Sequence, residues 1–359
     1  MEALDDQPEI DSEESVPLRQ PALPPSGRTV KGTLLTVVHL SAFGCLGVFV
    51  RSWLKVAFSC YATNHGTCLS LHVGPLCEAF APNALGCFVF GLLSTPKAAG
   101  LDGDRQLACL HRDHPWQTRD RLVLGLRTGF CGALTTWASW NQAMVVHAAS
   151  GDWATALLGF LLGVQVAATS TACGQHSAAA LSHWHARAVV PAIEDGESLM
   201  STVEEPVAQS SRCNAADIFV AVLFLALPVT CSVMLGTAAG PNAFAFVYGS
   251  SLLAPAGVLL RWQLTRLNTF HTFLPCGTLV ANTAACVLCA AVAQSSARPL
   301  LATVIMDGIG GSLSTVSTVC GETNLLFITG PRWRGYAYLA VTWILGFGGA
   351  LYFFSLPKP

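Results

Sequence analysis

Thr128-Gly-Phe-Cys-Gly-Ala-Leu-Thr-Thr-Trp-Ala-Ser-Trp-Asn141 decides how this chain is read, because Asp307-Gly-Ile-Gly-Gly-Ser-Leu-Ser-Thr-Val-Ser-Thr-Val-Cys320 repeats its pattern. Laid side by side without a gap, Gly129 falls on Gly308, Gly132 on Gly311, Leu134 on Leu313 and Thr136 on Thr315. Each stretch lies inside an apolar run long enough to cross a bilayer. Glycines followed by consecutive hydroxyl residues weaken a helix, since Gly costs about 0.5–1 kcal/mol against Ala and Ser/Thr compete for backbone carbonyls. Hydrocarbon tolerates a broken helix only where protein or water covers the freed groups. Two breaks at matching places in two halves point to an ion or substrate site between inverted repeats. Small-residue helix packing is the plainer alternative.

Composition places the whole chain in a membrane. Of 359 residues, 52% are apolar and only 11% are charged, against about 25% charged in soluble domains. Mean hydropathy is +0.51. The net charge of -2 says nothing about nucleic acid, and no basic stripe supports it as a partner. The 14 Cys are scattered through apolar runs as small hydrophobes, without paired metal spacing. Cys60, Cys68 and Cys77 share one loop and could supply a disulfide. Residues 1–30 form an acidic tail, expected to be disordered and unlike a signal peptide.

Nine apolar spans are expected, at about 32–50, 76–95, 122–148, 153–173, 215–236, 243–261, 274–293, 300–328 and 335–355. The first four make one repeat (31–175) and the last four another (243–356). A polar linker (176–213) and one connecting span (214–237) separate them. The expected fold is therefore an all-α membrane protein, two four-helix repeats joined by a single transmembrane helix. An odd connecting span turns the second repeat upside down relative to the first. Lys97, Arg105, Arg112, Arg119 and Arg121 place the loop after the second span in the cytoplasm by the positive-inside rule.

Shorter motifs recur in the same order in both halves. The first spans carry Gly47-x-x-x-Arg51 and Gly257-x-x-x-Arg261. The second spans carry Pro82-Asn83-Ala-Leu-Gly86 and Val280-Ala-Asn282-Thr-Ala-Ala285. Asn83 and Asn282 would be costly in lipid unless they face protein or a pore, and their amides could donate to an anion. Thr135, Thr136 and Ser139, with Ser314, Thr315, Ser317 and Thr318, supply hydroxyls that could donate to an anion or satisfy broken backbone. The carbonyls freed at Gly132, Ala133, Leu134 and Thr135, and at Gly311, Ser312, Leu313 and Ser314, could hold a small dehydrated cation. Trp137 and Trp140 share a helix face and offer positive ring edges and indole N–H groups. Val316 and Val319 take their places in the second repeat. Arg51 and Arg261 are expected at span ends, snorkelling or attracting anions to a vestibule. Asp307 is expected to cap the broken helix, and Glu322 is the carboxylate that could carry a proton. Nucleotide-binding, metalloprotease and hydrolase motifs are absent, so an enzyme is not expected.

The Gly-x-x-Gly-x-Leu-Thr-Thr-aromatic-x-Ser-aromatic segment, with its flanking Gly-x-x-x-Arg and Asn motifs, resembles the third-helix signature of the fluoride channel family (Fluc/CrcB). The nine-span plan resembles that family's eukaryotic two-domain fluoride exporters, over about 32–355. The resemblance implies fluoride as the permeant ion, anion pathways on either side of a structural sodium ion, and no organic cofactor. It puts that sodium on the backbone at Gly132–Thr135 and Gly311–Ser314, and gives the pore Asn83, Asn282 and aromatic positions 137, 140, 316 and 319. It further implies a passive plasma-membrane exporter that works as a single chain with a pseudo-dimeric core. A proton-coupled transporter and a pore-less membrane protein are the alternatives.

Overall fold

The computed structural model describes residues 30–58, 74–103, 105–189, 215–237, 243–296 and 298–356. The expected acidic tail, residues 190–213 of the expected linker, and Cys60 and Cys68 of the possible Cys60/Cys68/Cys77 disulfide lie outside what it describes. Every regular element among the described residues is helical. Among the described residues, five helical stretches are long and apolar enough to cross a membrane: Gly32–Phe58, Trp153–Arg187, Cys276–Gln294, Pro299–Thr329 and Trp333–Ser355.

Helix α1 (Val30–Phe58) and α2 (Gly74–Leu92) precede a connection through two short turns to α3 (Asp120–Leu124). A π-wound segment, Gly125–Cys131, leads into the single turn α4 (Gly132–Leu134). The helix then stops. Thr135 is extended (φ -86°, ψ 150°), as is Thr136 (φ -144°, ψ 121°), and α5 (Trp137–Ala149) resumes beyond them. Next come α6 (Trp153–Val189), α7 (Ala215–Thr237), α8 (Ala243–Leu264) and α9 (Cys276–Gln294). The second interrupted stretch repeats the first: α10 (Pro299–Ile305), a π-wound Met306–Gly310, the turn α11 (Gly311–Leu313), an extended Ser314 (φ -84°, ψ 160°) and α12 (Ser317–Thr329). Thr135 and Ser314, aligned by sequence, have the same backbone. Helix α13 (Trp333–Ser355) closes the fold.

One boundary differs from the sequence reading. Helix α6 continues into the segment taken as a linker from 176. Ala178, Ala179, Ala180 and Leu181 favour helix strongly, and the Thr171 and Ser177 hydroxyls donate back to Ala167 and Cys173 carbonyls at 2.9 and 2.8 Å. Helix and linker are not exclusive here: the first part of the expected polar linker is the end of α6.

Packing is crosswise between the halves. Helix α1 lies on α8 through Leu40, Cys45, Val48, Ala254, Val258 and Trp262. Within each half, α2 packs on α6 and α9 on α13. The resumed helix α5 also packs against α9 and α13, while α12 packs against α2 and α6. Each interrupted helix therefore delivers its second part to the other half. Helix α7 lies against α1 and α8, and its Asp217 sits 3.4 Å from His39 Nε2 and 3.8 Å from an Arg121 nitrogen.

Candidate functional site

The two breaks meet at the centre of the packing, and each is held by the other. Thr135 Oγ1 accepts the backbone amides of Val316 and Ser317, both at 3.2 Å. Ser314 Oγ accepts the amide of Ala138 at 3.0 Å. These bonds satisfy amides that any helix N-terminus leaves open. Thr136 and Thr315 do the same locally, accepting from Ser139 N at 3.2 Å and Thr318 N at 3.3 Å. Hydroxyl contacts tie the turns together, Thr135 to Thr315 at 3.2 Å and Thr136 to Ser314 at 3.2 Å.

Asn83 and Asn282 clamp the backbone of the breaks at Thr136 and Thr315. Asn83 accepts from Thr136 N at 2.8 Å and donates to Thr136 O at 3.3 Å. Asn282 accepts from Thr315 N at 2.8 Å and donates to Thr315 O at 3.1 Å. An amide side chain is the one neutral group that can serve both backbone atoms of an extended residue at once. That is the physical reason for Asn at both positions, and it commits one amide hydrogen of each to backbone.

The arginines are not where they were expected. Arg51 and Arg261 are 0% and 2% exposed, so neither snorkels nor lines a vestibule. Each bridges the two halves, reaching carbonyls of its own and of the opposite one. Arg51 donates to the carbonyls of Ala133 and Asp307; Arg261 donates to those of Gly132 (2.6 Å), Ser314 (3.0 Å) and Thr128 (2.7 Å). Thr128 and Asp307 are aligned residues, so this part of the arrangement is duplicated. A winding helix that stops leaves carbonyls open, and a planar guanidinium serves several at once. Glycine makes the approach possible: a Cβ at Gly132 would meet the Arg261 guanidinium, and one at Gly311 that of Arg51.

Asp307 is likewise displaced from its expected capping role. Its carboxylate takes Lys55 Nζ and Ser52 Oγ (2.8 Å) and lies 3.4 Å from Arg51 Nε. The acceptors of Arg261 are carbonyls, and the residue aligned with Asp307 is the neutral Thr128. The centre is therefore duplicated in hydrogen bonding but not in charge.

Beyond the breaks, Trp137 and Trp140 lie buried in edge-to-face contact, with ring centroids 5.2 Å apart. Trp140 Nε1 donates to Gly159 O at 3.3 Å, whereas Trp137 Nε1 is buried without a hydrogen-bond partner. Around Trp137 stand Cys286 of α9 and Gly346 of α13; its Nε1 would be 3.1 Å from a Cβ at Gly346. Val316 and Val319 are buried on the opposite branch, beside α2 and α6. Ser139 and Thr318 are partly exposed at the start of the two resumed helices.

A second polar group surrounds Glu322, the carboxylate that the sequence offered as a proton site, and its partners Asn268, Thr278 and Tyr338 were not read there. Glu322 accepts from Thr278 Oγ1 (2.7 Å), Asn268 Nδ2 (3.1 Å) and the Tyr338 hydroxyl (2.6 Å). Tyr338, Thr342 and Gly346 follow at four-residue spacing along one buried face of α13. Polar residues spaced i, i+4 in an apolar span were the available signal.

The sodium ion implied by the family resemblance is tested by the donors around the breaks. They are right in kind, since carbonyl and hydroxyl oxygens are what small cations take. Gly132, Ala133 and Ser314 do not fit, because two guanidiniums already donate to their carbonyls and fixed positive charge opposes a further cation. The positions left are Leu134, Thr135, Gly311, Ser312 and Leu313.

Comparison with known proteins gives an independent reading. The family model described as "CrcB-like protein, Camphor Resistance (CrcB)" matches residues 38–175 and 249–354. Proteins named fluoride-specific ion channel FluC 2 are similar: one from Synechococcus sp. (strain CC9605) is 35% identical over 104 residues, and one from Parasynechococcus marenigrum is 41% identical over 104. Each match covers 28% of this chain and 62% of the relative. The chain thus spans somewhat less than two thirds of those relatives' length. A third, from Corynebacterium diphtheriae, is 37% identical over 95 residues, 26% of this chain and 84% of its own. No solved structure matches.

Proposed function

The chain belongs to the CrcB family, and on that premise we propose that it is a passive, highly selective fluoride channel that exports the ion across the plasma membrane. It is a multi-pass membrane protein, with five helical stretches of spanning length in a family of membrane channels. The finer architecture we propose is nine spans: two inverted four-helix repeats around α7, acting as one chain with a pseudo-dimeric core. Its support is the pairing of aligned residues, Asn83–Thr136 with Asn282–Thr315 and Arg261–Thr128 with Arg51–Asp307.

The observation that carries the channel reading is the buried, unpartnered N–H of Trp137. A buried donor without an acceptor costs about 1–3 kcal/mol, and a passing small anion would relieve that cost. The edge-to-face Trp137/Trp140 pair adds positive ring edges without a cationic side chain that would trap the ion. On the other branch Val316 and Val319 offer neither, so the conducting route runs beside α5, α9 and α13. Fluoride enters cells as the neutral acid and dissociates. An inside-negative potential, worth about 2.3 kcal/mol per 100 mV, then drives it out without ATP. A structural sodium ion among Leu134, Thr135, Gly311, Ser312 and Leu313 would supply positive charge that holds the two turns together.

Fluoride and chloride efflux from liposomes containing the purified protein, under an imposed voltage, tests this. Fast, voltage-driven fluoride efflux with negligible chloride is expected, and W137F should slow it while V316F should not. Equal passage of both ions, or no flux from folded protein, would overturn the reading.

A further inference from the structure

The connection between α2 and α3 is not a slack loop. Gln117 pins it, accepting from Leu107 N at 2.9 Å and donating to Leu107 O at 2.9 Å, with further contacts to the Leu110 and His111 carbonyls at 3.3 Å. Ala108 N donates to Ser94 O at 2.8 Å, tying the same segment to the end of α2. The folded connection leans on the end of α6, where the two enclose a cleft of ≈ 190 Å³.

That cleft is basic. Arg105, His111 and Arg112 come from the connection, and Ser182 and His185 from α6. Among the described residues, neither Arg105 nor Arg112 has a carboxylate within 4.0 Å. Arg105 donates to Ser182 Oγ at 2.6 Å, which holds its guanidinium against α6. Its Nε, like His185 Nδ1, is buried without a hydrogen-bond partner. Among the described residues, Asp113 lies 3.2 Å from His111 Nδ1, with 80% of its side chain exposed. Leu181, Trp184 and Trp116 are exposed close by in sequence, the apolar and aromatic composition of a membrane–water boundary.

We propose that this cleft binds the phosphate of a phosphomonoester, from an anionic lipid headgroup or free in solution. Two guanidiniums, a serine hydroxyl and imidazole nitrogens suit a tetrahedral dianion with several acceptor oxygens. The cleft is large enough to admit a phosphate group. Basic pockets between helices at the cytoplasmic face are where phosphorylated lipid headgroups are held, and loop charge assigns this end to the cytoplasm. The site is separate from the buried breaks and does not depend on what ion crosses them.

The test uses the full chain in detergent, titrated with dioleoyl phosphatidylinositol 4-phosphate by native mass spectrometry and with inorganic phosphate by calorimetry. Binding in at least one arm is expected. R105Q/R112Q should weaken it by at least about ten-fold, the scale of one lost charge-assisted hydrogen bond. Retention of the lipid alone identifies the headgroup as the source; binding of both probes identifies phosphate itself. S182A/H185Q, which keeps both arginines, is the second variant and should weaken binding several-fold even if the first fails to fold. No binding in either arm, or binding unchanged in the folded variants, would overturn the proposal.

Discussion

Thr135 caps the helix that follows Ser314, and Ser314 caps the helix that follows Thr135. The two residues hold the same place in two repeats, share one backbone conformation, and exchange the same kind of bond across the centre. Neither break could be satisfied this way alone, which explains why a chain would keep two. T135V and S314A should each cost about 1 kcal/mol, the usual value of a lost N-cap. Because the hydroxyls also touch Thr315 and Thr136, the double variant should lose less than the sum. Thermal unfolding of the purified protein reads this directly; full additivity would mean that the caps act independently.

Asp307 gives a larger expected effect. It is a buried carboxylate facing Arg51 and Lys55, and removing one member of such a set leaves the others uncompensated. D307N should destabilise by about 3–5 kcal/mol, the range for breaking a buried ion pair. T128V, at the aligned position without a carboxylate, should cost far less. Unfolding midpoints for the two variants settle the comparison, and equal losses would contradict the asymmetry of charge at the centre.

Much of this centre was legible in the sequence because it depends on local chemistry. Gly132 and Gly311 followed by Ser and Thr weaken a helix wherever they sit, so the breaks could be placed around Gly132–Thr135 and Gly311–Ser314, and the helices stop at the ends of those ranges. The π winding before each break carries no such mark. The arginine partners were hidden for a different reason: Arg51 reaches acceptors 82 and 256 residues away. A span-end arginine looks the same in sequence whether it snorkels or folds inward. Asn83 and Asn282 stood between these cases. Their cost in lipid predicted a partner, but only the structure identified it as the backbone amide and carbonyl of Thr136 and Thr315.

That clamp makes a graded prediction. N83A removes both bonds to Thr136 and leaves its amide and carbonyl without the side chain that serves them. N83D keeps an acceptor for Thr136 N and loses the donor to Thr136 O. At about 1–3 kcal/mol for each buried group left unsatisfied, N83A should be the more damaging of the two. Fluoride flux should fall in the same order, because the turn that carries Trp137 is held by these bonds. An N83A protein as stable and as active as the parent would remove the clamp from the account.

Glu322 separates a channel from a proton-coupled transporter. Three donors converge on its oxygens, from Asn268, Thr278 and Tyr338. Replacing the carboxylate by an amide turns one acceptor into a donor that faces another donor, so E322Q should destabilise by about 1–3 kcal/mol, and Y338F by about 1 kcal/mol. In a channel, fluoride flux through folded E322Q continues to follow voltage, reduced in proportion to whatever distortion the variant suffers. In a transporter, flux follows the pH gradient in the parent and stops in E322Q. Efflux under voltage alone and under a pH gradient alone distinguishes the two. The expected result is voltage dependence in both proteins, since Asn268, Thr278 and Tyr338 hold the Glu322 carboxylate as an acceptor.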